Sequence, residues 1–409
     1  MSLRDNPRRV RTPAIGRRER KPETSPVTAL DRSKTRQIGT VVVALVVAIA
    51  GFAAAAFVLG RLELRSRSEP SPSEAAPLIA EPFLSVDPRV TARIPLESNG
   101  GVSAILYAEQ SVWVTASFVE GGGGVDQSMV FRVDASSNEL VAQIPIEGSP
   151  GFVSGGGGLA YGFGSVWVAG YGRISGSVQA VAHRIDPMTN TVTAMIPLGG
   201  THGADIAVDQ SNVWVAYFGE EHAGVARVDP ATNSVTAQVP VPSNYVRRIT
   251  AADGGVVATE LEWEGNEGPC MVLTAIDPGT ATITARERVN PPCGGVQLFA
   301  WNDEVWASGS ELQRVNPTTA QLVGEPLRFE PEHFPRSFVF GAGQEVWFAA
   351  YPGGNGVRPD RVARLDTATG EIDYFIEAGG IDAVFAPETR TIWILEYRGS
   401  LTRVDINDA

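Results

Sequence analysis

Lysine, cysteine and histidine are scarce in this 409-residue chain, and their scarcity limits its chemistry. Lysine occurs only at Lys21 and Lys34 while arginine is abundant, a usage that suggests a bacterium with a high-GC genome. After residue 60 the chain carries 22 basic and 42 acidic residues. Nucleic-acid affinity comes largely from cationic groups that neutralise phosphate. We therefore expect no nucleic-acid partner for this acidic region.

One long apolar run predicts a membrane anchor. Residues 38–60 contain no charged side chain, and as a helix they span roughly 34 Å, enough to cross a bilayer core. Residues 1–37 hold eleven Arg/Lys against four Asp/Glu, which by the positive-inside rule places a disordered, basic tail in the cytoplasm. A cleaved signal peptide ending near 53–56 is the alternative, but its basic and apolar regions would be unusually long. The chain is thus predicted to be single-pass in a bacterial plasma membrane, with everything after residue 60 outside.

A repeat follows the Pro/Ser-rich linker at 61–83. Its first phrase is a small or polar residue followed by Val-Trp and then hydrophobic residues. The Trp positions of successive copies are separated by 54, 47, 43, 49, 41 and 46 residues. The copies are SVWVT (111–115), SVWVA (165–169), NVWVA (212–216), GVVAT (255–259), EVWAS (304–308), EVWFA (345–349) and TIWIL (391–395). Repeats of this length are typical of propeller blades. Seven copies predict seven blades, with Val257 replacing one Trp.

A second phrase, exemplified by HRIDPMTNTVTAMIPL (183–198), reads strand, Asp-Pro-x-Thr turn, strand. With an inner strand such as 204–208 before each Trp phrase, each blade has four strands. The last copy stops at LTRVDIND (401–408), while an orphan fourth strand, 87–96, opens the region. We therefore predict an all-β, seven-bladed propeller over 84–409, closed by this N-terminal strand.

These phrases resemble those of the bacterial YVTN-repeat and virginiamycin B lyase-like seven-bladed propellers over residues 84–409. The lyase-like enzymes use a histidine and a Glu-x-His pair, each ahead of an inner strand, with Mg²⁺. Only His202 stands at such a position, and Gly200 replaces the glutamate. The resemblance therefore implies the fold without the enzyme's catalytic set. We expect no cofactor and favour a non-enzyme.

The longest loops, including 115–129 and 258–270, fall on one face of the predicted disc, and long loops commonly carry function. We expect this long-loop face to point away from the membrane. Aromatic residues end several second strands on it: Tyr171, Phe218, Tyr351 and Tyr397, with Tyr217 adjacent. Trp263 lies outside the repeat, among Glu260, Glu262, Glu264 and Glu267. These rings either pack on the next blade or form an acidic-rimmed surface that, with His202, binds a protein, peptide, glycan or small molecule.

The remaining chemistry-bearing residues have structural interpretations. A metal site from His202, His222 and Glu220 or Glu221 lacks specific ligand spacing, so we expect solvated loop residues and no metal. His183 occupies a strand position held elsewhere by Phe131 or Thr274, so it is expected to pack between blades. Cys270 and Cys293 flank one hairpin and are predicted to form a disulfide outside the cell.

The sequence thus predicts a membrane-anchored, extracytoplasmic propeller that acts as a ligand- or protein-binding sensor or scaffold. The alternative is a divergent lyase or hydrolase that resembles virginiamycin B lyase.

Overall fold

A computed structural model describes most of the chain from Arg89 to Ile406, within one compact unit, Phe83–Ala409. The described residues are 89–96, 98, 101–118, 127–147, 149–150, 158–219, 222–252, 254–263, 269–289, 296–309, 311–328, 335–350, 361–377, 380–396 and 399–406. The predicted tail, apolar run and linker lie outside them. Within the described ranges no helix is long and apolar enough to span a membrane.

The alternating strand phrases form seven antiparallel sheets. Blade 1 contains β2 (Val102–Ala108), β3 (Ser111–Phe118), β4 (Gln127–Asp134) and β5 (Leu140–Ile146). Blade 2 contains β7 (Leu159–Gly162), β8 (Ser165–Ile174), β9 (Ser177–Asp186) and β10 (Thr191–Pro197), with the short β6 (Ser149–Pro150) added beside β8. Blade 3 contains β11 (His202–Val208), β12 (Val213–Phe218), β13 (Ala223–Asp229) and β14 (Ser234–Pro240).

The remaining blades repeat this order. Blade 4 contains β15 (Val246–Ala252), β16 (Gly255–Trp263), β17 (Pro269–Asp277) and β18 (Thr282–Arg288). Blade 5 contains β19 (Gln297–Trp301), β20 (Glu304–Ser308), β21 (Glu311–Val315) and β22 (Leu322–Arg328). Blade 6 contains β23 (Pro335–Ala342), β24 (Glu345–Ala350), β25 (Arg361–Asp366) and β26 (Ile372–Glu377). Blade 7 contains β27 (Gly380–Ala386), β28 (Thr391–Glu396), β29 (Ser400–Asp405) and the N-terminal β1 (Val90–Pro95).

The predicted closure is confirmed. β1 pairs antiparallel with β29 and supplies the fourth strand of blade 7. The first strands of successive blades contact one another in a complete ring, including β27 with β2. Hydrogen bonding of the chain's ends removes the unpaired edge that an open array would expose.

The Trp phrase forms the second strand of its blade, and each Trp faces an Arg of the third strand. Trp167 pairs in register with Arg184, whose guanidinium lies 5.0 Å from the indole centroid. The same cross-strand pair recurs in blades 1, 3, 5, 6 and 7. Five of these Trp side chains are fully buried: Trp113, Trp167, Trp214, Trp347 and Trp393. Trp306 is half-buried and packs against the core cluster of blades 5 and 6.

The arginine also links neighbouring blades. Arg184 Nη1 donates to the Pro230 carbonyl (2.6 Å) and to Asn233 Oδ1 (2.9 Å) in the Asp-Pro-x-Thr-Asn turn of blade 3. Arg132 reaches the corresponding turn of blade 2, and Arg403 reaches that of blade 1 across the closure. In blades 1, 2, 3 and 7 the Arg of the second phrase therefore connects neighbouring blades.

Candidate functional site

Blade 3 forms a depression on the long-loop face. The β8–β9 hairpin of blade 2 has strands of 10 residues and continues seven residues past Trp167, whereas β12 ends four residues past Trp214. The β16–β17 hairpin of blade 4 has strands of 9 residues. The second strands of the two neighbouring blades therefore extend two to three residues further than β12, roughly 7–10 Å of strand at about 3.3 Å per residue.

Four rings cross this depression in a continuous row. The centroid of Tyr171 lies 5.2 Å from that of His202, which stacks on Phe218 at 5.2 Å with an 11° interplanar angle. Phe218 in turn lies 4.5 Å from Tyr245 of blade 4. His202 is exposed, and the other three are half-buried. We call Tyr171, His202, Phe218 and Tyr245 the aromatic row.

The geometry of the row is compatible with both alternatives that the sequence left open. Each ring contacts a ring of its own or the next blade, so the row does pack blades together. It also remains partly accessible, because it lies at the strand ends on the long-loop side. Rings held by one another lose little side-chain entropy when a ligand binds, which suits a binding surface.

His202 is the polar centre of the row. Its Nδ1 lies 2.7 Å from Thr201 Oγ1, and partial burial beside the flanking rings lowers the pKa of the imidazole. The ring is therefore neutral at pH 7, and its Nε2 is available to a ligand as a donor or an acceptor according to the tautomer.

Tyr217 is not part of the row. It was predicted to bind ligand beside Phe218, but its side chain is 4% exposed and belongs to the core cluster between blades 2 and 3. Successive residues of a strand point to opposite faces, so Tyr217 packs toward blade 2 while Phe218 packs toward blade 4. Burial also raises the pKa of the Tyr217 phenol.

Tyr245 is a residue that the sequence reasoning missed. It stands three residues before Arg248, as His202 stands three before Asp205, and both Asp205 and Arg248 follow a bulge of the first strand. This alignment of first strands is the signal that would have identified it.

The other predicted ring residues are not placed by the structure. Tyr351 and Tyr397 lie outside the described residues, so their part in the surface stays a prediction. Trp263 ends β16, paired in register with Pro269.

The acidic rim predicted around Trp263 is partly wrong. Glu260 is fully buried, and its carboxylate accepts hydrogen bonds from Thr274 Oγ1 and from Arg286 Nη2 at 2.8 Å. Glu262 bridges Arg286 at 2.5 Å and Arg288 at 3.4 Å. These arginines lie on β18, one strand beyond β17 in the same sheet, and neutralise both glutamates. The ladder stiffens the tall hairpin of blade 4 instead of offering it negative charge.

A second missed feature lies on the propeller axis. Asp205, Arg248 and Asp382 come from the first strands of blades 3, 4 and 7, and all three are buried. Asp205 accepts backbone N–H bonds from Gly158 (2.9 Å), Ile206 (2.9 Å) and Ile249 (3.0 Å), so it links blades 2, 3 and 4. Desolvation raises the pKa of Asp205 and raises that of Asp382 to about 7, while the charge of Arg248 opposes both shifts.

The remaining candidates are structural or untested. His183 is buried, as predicted for a packing residue, and burial lowers its pKa to about 4. Cys270 is half-buried in blade 4, but Cys293 lies outside the described residues, so the disulfide stays a prediction. Within the described ranges no group of three His, Cys, Asp or Glu side chains could hold a metal.

Comparisons with known proteins identify the fold and no family. No family model matches the chain, and no curated protein matches it. A chain of a structure titled "Crystal Structure of Mitotic Checkpoint Complex" matches with a TM-score of 0.56 and 9% identity, over 82% of this chain and 100% of that one. The Neurospora crassa Pan2 WD40 domain matches with a TM-score of 0.53 and 11% identity, over 76% of this chain and 90% of that one. Identities this low show the fold alone: a seven-bladed propeller with WD40-like structural neighbours.

Proposed function

We propose that this protein is a membrane-anchored, extracytoplasmic scaffold or sensor that binds a partner protein on its long-loop face. The observation that carries the proposal is the aromatic row, which crosses the depression over blade 3 with its rings fixed by mutual contact. Buried or half-buried aromatic anchors of this kind supply much of the binding energy at protein interfaces.

The structural neighbours support a protein over a glycan or a small molecule as the partner. One is a WD40 domain, and another belongs to a structure described as a complex. A row about three ring spacings long, bounded by two raised hairpins, also fits an inserted loop or peptide of a partner better than a flat surface would.

The membrane assignment rests on the sequence. The uncharged run at 38–60, the basic residues before it and the resemblance to bacterial YVTN-repeat propellers support an uncleaved anchor with the propeller outside. Protease added to intact cells should degrade the propeller and spare the tail. N-terminal sequencing of the membrane fraction that began after residue 53 would show cleavage instead.

Site-directed photo-crosslinking tests the binding face. A benzoyl-phenylalanine in place of Phe218 is expected to give a discrete crosslinked protein in membranes, and one in place of Met188 is the control. Met188 is 85% exposed in the C-terminal hairpin turn of blade 2, on the opposite face. Equal products from both positions would remove the case for a specific face.

Affinity for the crosslinked partner then tests the row itself. Phe218→Ala and Tyr245→Ala should each weaken binding by about 1–3 kcal/mol, as truncated aromatic anchors do. Each should also lower thermal stability, because the two rings contact across the boundary of blades 3 and 4, so affinity is measured well below the unfolding temperature. Exposed Phe163, on the opposite face, provides the matched control Phe163→Ala. If Phe218→Ala unfolds the domain without a selective loss of affinity, the row is blade packing alone.

The alternative is a divergent lyase or hydrolase with His202 as its acid or base. The exposed imidazole favours it, but within the described ranges the row contains no carboxylate beside His202. If the protein showed turnover that His202→Ala abolished while partner binding persisted, the enzyme hypothesis would replace the scaffold hypothesis.

A further inference from the structure

The face opposite the long-loop face carries the N-terminal and C-terminal hairpin turns of the blades, and we call it the short-turn face. Seven large apolar side chains of the described residues are exposed, and five of them lie at this face on the adjacent blades 1 and 2. Four of the five lie in, or within two residues after, the C-terminal hairpin turns, and we call them the rim patch: Leu140, Val141, Met188 and Val192. Single exposed apolar side chains are normal, whereas a contiguous group commonly marks a contact site.

The rim patch is continuous across the boundary between blades 1 and 2. Arg132 of β4 donates to the turn of blade 2 that carries Met188. Val141 is the bulged residue opposite Arg132, so it faces the same turn. At the equivalent place between blades 4 and 5, Thr284 Oγ1 donates to the Thr318 carbonyl at 2.7 Å. Val141 and Met188 hold the positions of these two threonines, so an apolar pair replaces a polar contact.

The fold itself does not need an apolar side chain at Met188. Its position in the C-terminal hairpin turn carries a small or polar residue in blades 1, 3, 4, 5 and 6: Ser136, Ala231, Gly279, Thr318 and Ala368. Met188 is 85% exposed and Val141 is 48% exposed, so neither side chain is covered by its own blade. The pair is therefore available to bury the apolar side chains of another segment.

The chain enters the propeller one blade boundary away from the rim patch. β1 begins with Val90, which pairs with Val404 near the end of β29 and so lies at the short-turn face. Arg403, in register with the next residues of β1, donates to the Ala135 carbonyl of blade 1 at 3.1 Å. Leu140 directly follows that turn of blade 1. The residues that precede β1 therefore start beside the patch.

An apolar segment occupies this stretch of the sequence. Residues 83–86 read Phe-Leu-Ser-Val; they belong to the same compact unit as the blades and lie outside the described residues. At about 3.3 Å per residue, the seven residues that separate Phe83 from Val90 span up to about 23 Å, whereas neighbouring sheets pack about 10 Å apart. A tether this short gives an effective concentration on the order of millimolar or higher, at which a weak apolar contact is populated.

We propose that residues 83–86 dock on the rim patch, with the Phe83 and Leu84 side chains against Val141 and Met188. The propeller then has a docked N-terminal extension ahead of β1. A lipid surface is a poorer occupant, because the excess of carboxylates after residue 60 repels anionic headgroups. The proposal depends neither on the protein partner nor on the membrane anchor proposed above.

Photo-crosslinking of the full chain in membranes identifies the occupant. Benzoyl-phenylalanine in place of Met188 should give an intrachain crosslink to the tryptic peptide 68–89, and fragment ions should place it within residues 83–86. The matched control is benzoyl-phenylalanine in place of Val323, which is exposed at the same end of blade 5 and should not give this product. A lipid adduct, a crosslink to a second copy, no product, or the same product from both positions would overturn the proposal.

Oxidation of Met188 provides a readout without a bulky probe. A docked segment should shield the thioether, so Phe83→Ser combined with Leu84→Ser should speed sulfoxide formation by hydrogen peroxide at least about threefold. Leu62→Ser combined with Leu64→Ser makes the same change further from β1, and as the matched control it should leave the rate unchanged. Equal rates in the native protein and the first variant would contradict docking. Partner crosslinking from the long-loop face should persist in that variant, so this proposal and the proposed function can fail separately.

Discussion

Replacing Asp382 by Asn should change how the stability of the propeller depends on pH. Asp382 lies on the axis in β27, 6% exposed, and its carboxylate accepts the Ala383 N–H at 2.9 Å. Its Oδ2 has no hydrogen-bond partner among the described residues. Desolvation outweighs the attraction of Arg248, and the pKa rises from 3.8 to about 7. The folded protein therefore retains a proton that the unfolded chain has released.

The direction and size of this pH effect on stability follow from the linkage between proton binding and folding. Because the folded-state pKa is the higher one, this group's stabilisation is complete below about pH 4 and is lost as the pH rises to about 7. At about 1.4 kcal/mol per pKa unit, the full loss is up to about 4 kcal/mol, with about 2–3 kcal/mol of it between pH 5 and pH 8. Asn does not titrate, so the stability difference between variant and native protein should shift in favour of the variant by that amount over this range.

Urea unfolding monitored by tryptophan fluorescence at pH 5, 6, 7 and 8 measures this difference. Any constant cost of the amide group cancels, since only the slope with pH is compared. In protein that keeps Asp382, Arg248→Met should make the free energy of unfolding fall more steeply as the pH rises, because the substitution leaves two buried carboxylates without their cation. A difference curve that stays flat from pH 5 to pH 8 would show that Asp382 titrates as an ordinary surface carboxylate.

Two further predictions concern blade packing. Burial lowers the pKa of His183 from 6.5 to about 4, so the neutral form stabilises the fold and this stability is lost as the pH falls through that range. His183→Phe introduces the residue that blade 1 has at the equivalent position, Phe131, and between pH 7.5 and pH 4 the variant should gain up to about 3 kcal/mol in unfolding free energy relative to the native protein, measured in the same assay. The absence of any gain would contradict the pKa shift. Arg403→Met removes the hydrogen bonds to Ala135 and Asn138 across the closure and should lower the free energy of unfolding by about 1–3 kcal/mol. Arg314→Met is the control and should cost less than about 1 kcal/mol, because the exposed ion pair of Arg314 with Glu304 stays within blade 5. Equal losses would show that the closure does not need Arg403.

The repeat made the fold predictable. The period and pattern of the repeat predict the number of blades, the position of the Trp phrase on the second strand and the closing strand, because every blade buries its faces against its neighbours in the same way. The repeat position is preserved even in blade 4, where Val257 stands within β16 at the position of the Trp.

The site was less predictable because it depends on contacts between blades and on local register. Adjacent Tyr217 and Phe218 face different neighbouring blades, and only the contacts at each boundary decide that Tyr217 is buried and Phe218 half-buried. Glu260 looked like a surface acid because Arg286, 26 residues later, is brought beside it only by strand pairing. Asp205 and Asp382 meet Arg248 on the axis only after the ring has closed, and no sequence spacing encodes that distance.

Blade 4 shows that the unit of this repeat crosses the boundary between blades. Where Trp is replaced by Val257, its cross-strand Arg is replaced by Ala275, and both belong to one cluster with Ala320 of the next blade's turn. All three small side chains are buried in one cluster. The boundary is held instead by Thr284 Oγ1, which donates to the Thr318 carbonyl at 2.7 Å.

Restoring the Trp alone should therefore destabilise the fold. Val257 is completely buried in a cluster that packs around its small side chain, so Val257→Trp should cost about 1–3 kcal/mol or more through overpacking. Val257→Ile, a smaller enlargement at the same position, is the control and should cost less. Urea unfolding gives both values. If Val257→Trp proved as stable as the native protein, the second strand alone would accommodate the Trp, and the Arg and the next blade's turn would not belong to its packing unit.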